Sequence, residues 1–308
     1  MNVISLFSGA GGLDLGLIQA GHHIVWANDI DANAVATYRA NVDPNIIQAD
    51  IKDINIEDIP DGDVVVGGFP CQGFSMANMK RTIDDERNFL YQFFYRTIQI
   101  KQPSFFIAEN VKGILSLGKG AVMQNIINDF NEAGYLVEYH LVNMADYGVP
   151  QHRERVIIIG QRNDLGDNML FHFPPPTHSK EQWISIKDAL QNLPEPGDTT
   201  NDPNNYGSSY KIVVKNFTAH RETNPDLPSP TILARGNGKG GVCAIPHYNG
   251  NRRLTIRESA VIQTFPLDFI FVGNMGSCYR QIGNAVPVHF AEILGNELTR
   301  IENQEIWM

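Results

Sequence analysis

Cysteine is scarce in this 308-residue chain: Cys71, Cys243 and Cys278 are odd in number and widely separated. That argues against a disulfide framework and for a reducing, cytoplasmic setting. There is no CxxC pair, and the nine histidines show no cluster or metal spacing, so no metal site is expected. No apolar run approaches the roughly 18 residues of a membrane span. MNVISLFSGAGG lacks a basic n-region and leads straight into a strand pattern, so no signal peptide is expected either. Internal repeats and low-complexity tracts are missing. Acidic residues are missing from one long stretch: Leu227 to Arg257 holds no Asp or Glu, while Arg235, Lys239, Arg252, Arg253 and Arg257 bring five positive charges. The net charge of −10 leaves −15 on the remainder. An acidic body speaks against nucleic acid as a partner, whereas one basic stretch fits local docking onto a polyanion or simply a solvated face.

What is present is an alternation of short apolar strands with helical patterns over the first 160 residues. Asn2–Phe7, His23–Ala27, Asp63–Gly67, Ser104–Glu109 and Arg155–Gln161 read as strands. Phe89, Leu90, Phe93, Phe94, Thr97 and Ile98 fall on one helical face, as do Val122, Met123, Ile126, Ile127 and Phe130. This alternation predicts βαβ units and a mainly parallel sheet covered on both faces. The pattern breaks at HFPPPTHS (172–179), and Pro- and Asn-rich text follows, which reads as a linker into a smaller, loop-rich unit. Helical periodicity returns with Ala291, Leu294, Leu298 and Ile301. The expected division is 1–178, 179–278 and a segment 279–308 that returns to the first unit.

Chemistry concentrates at the strand ends. Cys71 lies in GGFPCQGFS directly after Val64–Val66, on a tight loop where a cysteine is a candidate nucleophile. FSGAGGLDLG follows the first strand, and Gly9, Gly11, Gly12 and Gly16 let the backbone approach a ligand at a helix N-terminus. Asp29 ends the second strand, where it suits ribose hydroxyls; Asp50 ends a third apolar stretch, where it suits an adenine amino group. Both could equally be helix caps. Glu109 ends another strand, and Arg153 and Arg155 are two apart and share a face. The Gly238-Lys239 pair is no Walker loop, since Gly240 stands where Ser or Thr is required.

As a set, FSGAGG (7–12), PCQ (70–72), ENV (109–111), QHRERV (151–156), RRLTIRESAVIQTFP (252–266) and GNAVP (283–287) resemble the motifs of the DNA (cytosine-5) methyltransferase family, in the family order. The resemblance implies a Rossmann-like class I S-adenosylmethionine-dependent methyltransferase sheet with a small DNA-recognition domain. It implies Cys71 as nucleophile at cytosine C6, Glu109 as a protonated carboxyl at N3, and Arg153 and Arg155 as holders of the base carbonyl that help position the nucleophile. A glutamate with that role requires a raised pKa, which burial would supply. For S-adenosylmethionine it implies a pocket lined by Phe7, Gly9, Gly11, Leu13, Asp29, Ile30, Asp50, Ile51, Pro70, Leu90, Asn284 and Val286.

A cytosine in duplex DNA must leave the stack before a thiolate can reach it, so a second unit must hold the duplex. TIL (231–233) with ARGNGKGG (234–241) resembles the family's recognition segment, making Arg235 and Lys239 candidate DNA contacts, and the basic stretch adds Arg252 and Arg253. Residues 72–88 form a long polar stretch that could close over the substrate. The resemblance points to a prokaryotic restriction–modification enzyme, monomeric, with a cognate endonuclease acting separately. A tRNA cytosine-5 methyltransferase is the near rival, but its Cys-Phe-Thr tripeptide is missing, as Ala244 and Ile245 follow Cys243. A nicotinamide or flavin oxidoreductase would explain the glycines and leave PCQ, ENV and QHRER unexplained. A catalytically silent relative is opposed by the retention of Cys71, Glu109 and Arg155.

Overall fold

The computed structural model describes residues 1–69, 89–166, 170–196, 202–207, 223–234, 245–250 and 252–305. The expectations that rest on Pro70, Cys71, the 72–88 stretch, Arg235 and Lys239 lie outside the described residues. Strands β1 (Asn2–Leu6), β2 (His23–Asp29), β3 (Ile47–Gln48), β4 (Val64–Gly67), β5 (Phe105–Val111), β6 (Tyr135–Asn143) and β7 (Glu154–Arg162) form one sheet in the order β3-β2-β1-β4-β5-β7-β6. Strands β1 to β5 pair in parallel, and β7 runs antiparallel to both β5 and β6. This is the mixed, mainly parallel sheet expected. Strand β6 was not expected from the sequence. It lies at the sheet edge, where Leu136, Tyr139 and Leu141 are exposed, so its text has no clean alternation of apolar and polar residues.

Val64–Val66 and Phe105–Ile107 are apolar at every position because both faces of the sheet are covered. One face carries α1 (Gly12–Gln19) and α8 (Val288–Glu305), whose Leu13, Leu17, Phe290, Ala291, Leu294 and Leu298 pack with Val64, Val66 and Ile107. The other carries α3 (Phe89–Lys101) and α4 (Ala121–Glu132), where Phe94, Ile98, Ile126 and Phe130 meet Val65 and Phe106. Between them in sequence, α2 (Ala32–Asn41) is capped by Asp31, which accepts from the N–H groups of Asn33 and Ala34. Gly16 admits the C-terminal helix: a Cβ there would lie 2.4 Å from the Val288 carbonyl and 2.5 Å from the Ala291 Cβ. The last segment therefore returns to the first helix.

A further core gathers Ile186 and Leu190 of α5 (Ile186–Leu190), Ile256 and Ile262 of α6 (Ile256–Ile262), and Cys278 and Ile282 of α7 (Met275–Asn284) around Ile232 and Ile245. Ala10 of the glycine loop belongs to this core too. The Pro-rich stretch after β7 is docked rather than free. Phe171 is buried with its N–H bound by Gln161, Phe173 stacks on His140 at 3.9 Å, and the Thr177 and His178 N–H groups both donate to the Asp146 carbonyl. No helix among the described residues is long and apolar enough to cross a membrane.

Candidate active site

The carboxyl ends of β1, β2, β4 and β5 open onto a cavity of about 650 Å³, within the ordinary range for a small-molecule site. It sits where the strand order reverses between β1 and β4, the place at which doubly wound sheets bind ligands. Phe7, Gly9, Leu13, Asp29, Ile30, Asp50, Ile51, Leu90, Asn284 and Val286 line it, together with Glu109, Arg153 and Arg155. Residues almost 280 positions apart in sequence thus share one wall, because α8 brings the GNAVP segment back against α1.

At the glycine loop, Phe7 has φ 57° and Gly9 φ 57°, so the backbone turns through the left-handed region. Asp29 holds this turn, as its Oδ2 accepts the Gly9 N–H at 2.8 Å and its Oδ1 accepts the Asp31 N–H at 2.8 Å. Burial raises its pKa. Helix α1 begins after Gly11 with no side-chain cap, leaving N–H groups for a ligand. Gly11 itself does not line the cavity. Its φ is 89°, and a Cβ would meet Tyr38 and Val42 of the neighbouring helix segment at 2.8 to 2.9 Å. Its role is to let α1 close onto α2, and with Gly16 on α8 only Gly9 and Gly12 of the four glycines face the cavity. Asp50 both lines the cavity and caps a short 3-10 turn through the Lys52 N–H at 3.1 Å. Ile30, 64% exposed at the cavity wall, leaves an apolar surface open to a flat ring.

The opposite part of the cavity holds Glu109 and Arg155, whose Oε1 and Nε form an ion pair at 2.7 Å. They arise from the antiparallel pairing of β5 with β7, which sets Val111 opposite Arg155. A Cβ on Gly68 would lie 3.5 Å from Glu109 Oε2, and Asn110 donates to the Phe69 carbonyl at 2.9 Å. The residue before Pro70 is therefore tied to the Glu109 strand. Asn110 was not singled out from the sequence; its place between Glu109 and Val111 was the available signal.

Arg153 differs from its neighbour. It is 1% exposed, and its guanidinium donates to the carbonyls of Ile232, Gly283 and Ala285 at 3.0 to 3.2 Å. Burial lowers its pKa to about 9, with the Arg155 charge adding to the fall, so it is still cationic at neutral pH. Gln151 extends the same knot: it donates to Gln263 at 2.7 Å and accepts from the Ile232 N–H at 2.8 Å, while Gln263 donates to the Ile282 carbonyl. Three segments are joined here. Among the described residues the Nε of Arg153 is left without a hydrogen-bond partner, as are the Nε of Arg155 and the Oε1 of Glu109, which meet each other as an ion pair.

The candidate DNA contacts Arg252 and Arg253 are engaged within the protein itself or buried. Arg252 makes a bidentate contact with Glu258 at 2.7 and 2.8 Å and also meets Glu195 at 3.0 Å. Arg253 is 2% exposed. Arg257 is likewise buried, with two of its nitrogens on Asp202 at 2.6 and 3.0 Å and the third on the Pro266 carbonyl at 3.2 Å. Two of the five cations of the acid-free stretch, Arg252 and Arg257, are thus paired with Glu195, Glu258 and Asp202 from outside it, which charge counting could not show.

A family model described as C-5 cytosine-specific DNA methylase matches residues 1–300. The chain is 41% identical to the type II methyltransferase M.NgoFVII of Neisseria gonorrhoeae, over 92% of this chain and 83% of that one. It is 39% identical to the type II methyltransferase M.BspRI of Lysinibacillus sphaericus, over 97% and 81%. Among solved structures, a DNA modification methyltransferase candidate encoded within an E. coli prophage superposes with a TM-score of 0.74 at 28% identity, covering 98% of this chain and 99% of that one.

Proposed function

This chain belongs to the C-5 cytosine-specific DNA methylase family, and from that premise we propose how its residues divide the work. It is a DNA (cytosine-5) methyltransferase that uses S-adenosylmethionine and is related to the methyltransferases of restriction–modification systems. The observation that carries the assignment of roles is the meeting of Glu109 and Arg155 in the same cavity as Asp29, Ile30 and Asp50.

S-adenosylmethionine, when bound, supplies an electrophilic methyl group on its sulfonium. Asp29 and Asp50 take the ribose and adenine polar groups, and Ile30 covers the adenine ring. Gly9 and the α1 terminus approach the amino-acid end, while Asn284 and Val286 complete the wall. Glu109 and Arg155 sit side by side, which suits the adjacent N3 and O2 of a cytosine turned into the cavity. Cys71 adds to C6 as a thiolate. Glu109 delivers a proton to N3, so that the electron pair gained by the ring is not left as an anion and C5 becomes nucleophilic. After methylation, the C5 proton passes to water, Cys71 leaves as the thiolate and N3 returns its proton to Glu109, which restores the aromatic ring. Arg153 supports the arrangement from behind by holding the 232 and 283–285 segments.

Residues 179–278 form the DNA-recognition unit in this reading, with Arg235 and Lys239 as its contacts. The enzyme works as a cytoplasmic monomer, and any cognate endonuclease acts separately. The test is transfer of labelled methyl groups to duplex DNA, with tRNA in parallel and Cys71→Ala as control, followed by mapping of modified cytosines. Label at one short DNA motif that vanishes in Cys71→Ala is the expected result. Label on tRNA alone overturns the substrate, and label that survives Cys71→Ala overturns the nucleophile.

A further inference from the structure

Asp14 lines the cavity but belongs to none of the roles above. It is fully buried, and each carboxylate oxygen is held separately: Ser5 Oγ donates to Oδ1 at 2.7 Å, and the Tyr38 hydroxyl donates to Oδ2 at 2.7 Å. Ser8 Oγ donates in turn to Ser5 Oγ at 2.8 Å, which carries the chain of hydrogen bonds into the glycine loop. Strand β1, α1, α2 and the loop therefore meet at one carboxylate. The groups that face it are hydroxyls, and no cation among the described residues forms an ion pair with it.

The other acidic groups of the wall are disposed differently. Glu109 is paired with Arg155 and Asp31 with Arg280 at 3.4 Å, while Asp29 and Asp50 are engaged by backbone N–H groups. The cations of the wall are Lys52, Arg153, Arg155 and Arg280. Burial pushes the Asp14 carboxyl up to about 6, so it is ionised at neutral pH and its charge is not cancelled locally. An unpaired carboxylate in a low-dielectric wall acts at longer range than one exposed to water. The sulfonium of the methyl donor is a cation, and the thioether left after transfer is neutral.

We propose that Asp14 is a specificity-determining residue of the cofactor site: its ionised carboxylate, fixed by Ser5 and Tyr38, favours the cationic donor over the neutral thioether product. Product release is thereby assisted by the chemistry itself, because methyl transfer removes the charge that Asp14 attracts. This rests on the reading of the cavity as the S-adenosylmethionine site.

The test is calorimetric binding of S-adenosylmethionine and S-adenosylhomocysteine to the full-length protein between pH 5 and 8, for wild type, Asp14→Asn and Tyr38→Phe. In wild type the preference for the donor should fall as the pH drops through about 6. In Asp14→Asn it should be lower by about tenfold at pH 7.5, equivalent to about 1.4 kcal/mol, and flat across this window. Tyr38→Phe removes one donor to the carboxylate and should move the midpoint upward while keeping the preference above it. It also serves should Asp14→Asn fail to fold. Equal weakening of both ligands in Asp14→Asn, or a pH trend that survives there and so belongs to Asp29, would overturn the proposal. Binding of neither ligand by wild type would overturn the cofactor reading of the cavity itself.

Discussion

At Asp14, burial outweighs the hydrogen bonds from Ser5, Tyr38 and Ser8 and holds the carboxyl at about 6 against an ordinary 3.8. The folded protein thus binds this proton more tightly than the unfolded chain, and ionisation opposes folding. The cost is nil below 3.8, grows between 3.8 and about 6, and is complete above that, where it reaches about 3 kcal/mol. Asp14→Asn removes the charge and keeps the shape, so it should stabilise the fold by about 1–2 kcal/mol at pH 7.5 after some loss of hydrogen bonding. The gain should vanish near pH 3.5. Urea unfolding at the two pH values checks this, and a loss of stability at both would mean that the hydrogen bonds outweigh the buried charge. Asp29 presents the opposite case, since its oxygens anchor the glycine loop through Gly9 and Asp31. Asp29→Ala should weaken S-adenosylmethionine binding at least about tenfold, through lost ribose contacts and a loosened loop together. Equilibrium binding of the cofactor reads the effect, and duplex DNA affinity should stay unchanged.

Strand β7 shows at the scale of an element what could and could not be read from the chain. Its apolar run identified the strand, and Arg155 within it and Arg153 just before it both line the cavity. Spacing says nothing about what covers each residue. The partners of Arg153 are carbonyls at 232, 283 and 285, supplied by segments that reach β7 only after the whole fold has closed. The same limit applied to Gly11, whose glycine is required by Tyr38 and Val42 rather than by a ligand, and to β6, whose edge position erased its alternation. Residues that meet through a single loop, such as Gly9 with Asp29, were legible because strand ends in a parallel sheet converge at one edge. The two arginines should separate by experiment. Arg153→Met removes this donor from the buried carbonyls of Ile232 and Gly283, while that of Ala285 keeps Gln263, and should cost about 3 kcal/mol in unfolding free energy. Arg155→Met loses its Glu109 pair and one bond to the Glu154 carbonyl at a partly exposed site, and should cost about 1 kcal/mol. In methyl transfer the order should reverse, with Arg155→Met the more damaging once Arg153→Met is assayed below its unfolding temperature.

For the whole molecule, the question is how a chain of net charge −10 docks onto a polyanion. Its acid-free stretch suggested five available cations, yet Arg252 and Arg257 are committed to Glu258, Glu195 and Asp202, and Arg253 is buried. Such pairs tie Glu195 and Asp202 to α6 and its approach, and a charge that is already neutralised releases few counterions when DNA arrives. Arg252→Gln should therefore act on stability, leaving buried Glu258 without its bidentate partner at a cost of about 2–3 kcal/mol. The slope of log affinity against log salt for duplex binding should not change. Arg235 and Lys239 belong to the same stretch, and in the proposed function they meet the duplex. Replacing both with glutamine should flatten that slope by about 2, on the expectation of nearly one counterion per phosphate contact, with the unfolding midpoint unaltered. Binding titrations of one duplex from low to moderate salt decide the matter. A flattened slope in Arg252→Gln would return this residue to the DNA surface, whereas an unchanged slope in the double variant would move the phosphate contacts away from the 234–241 segment.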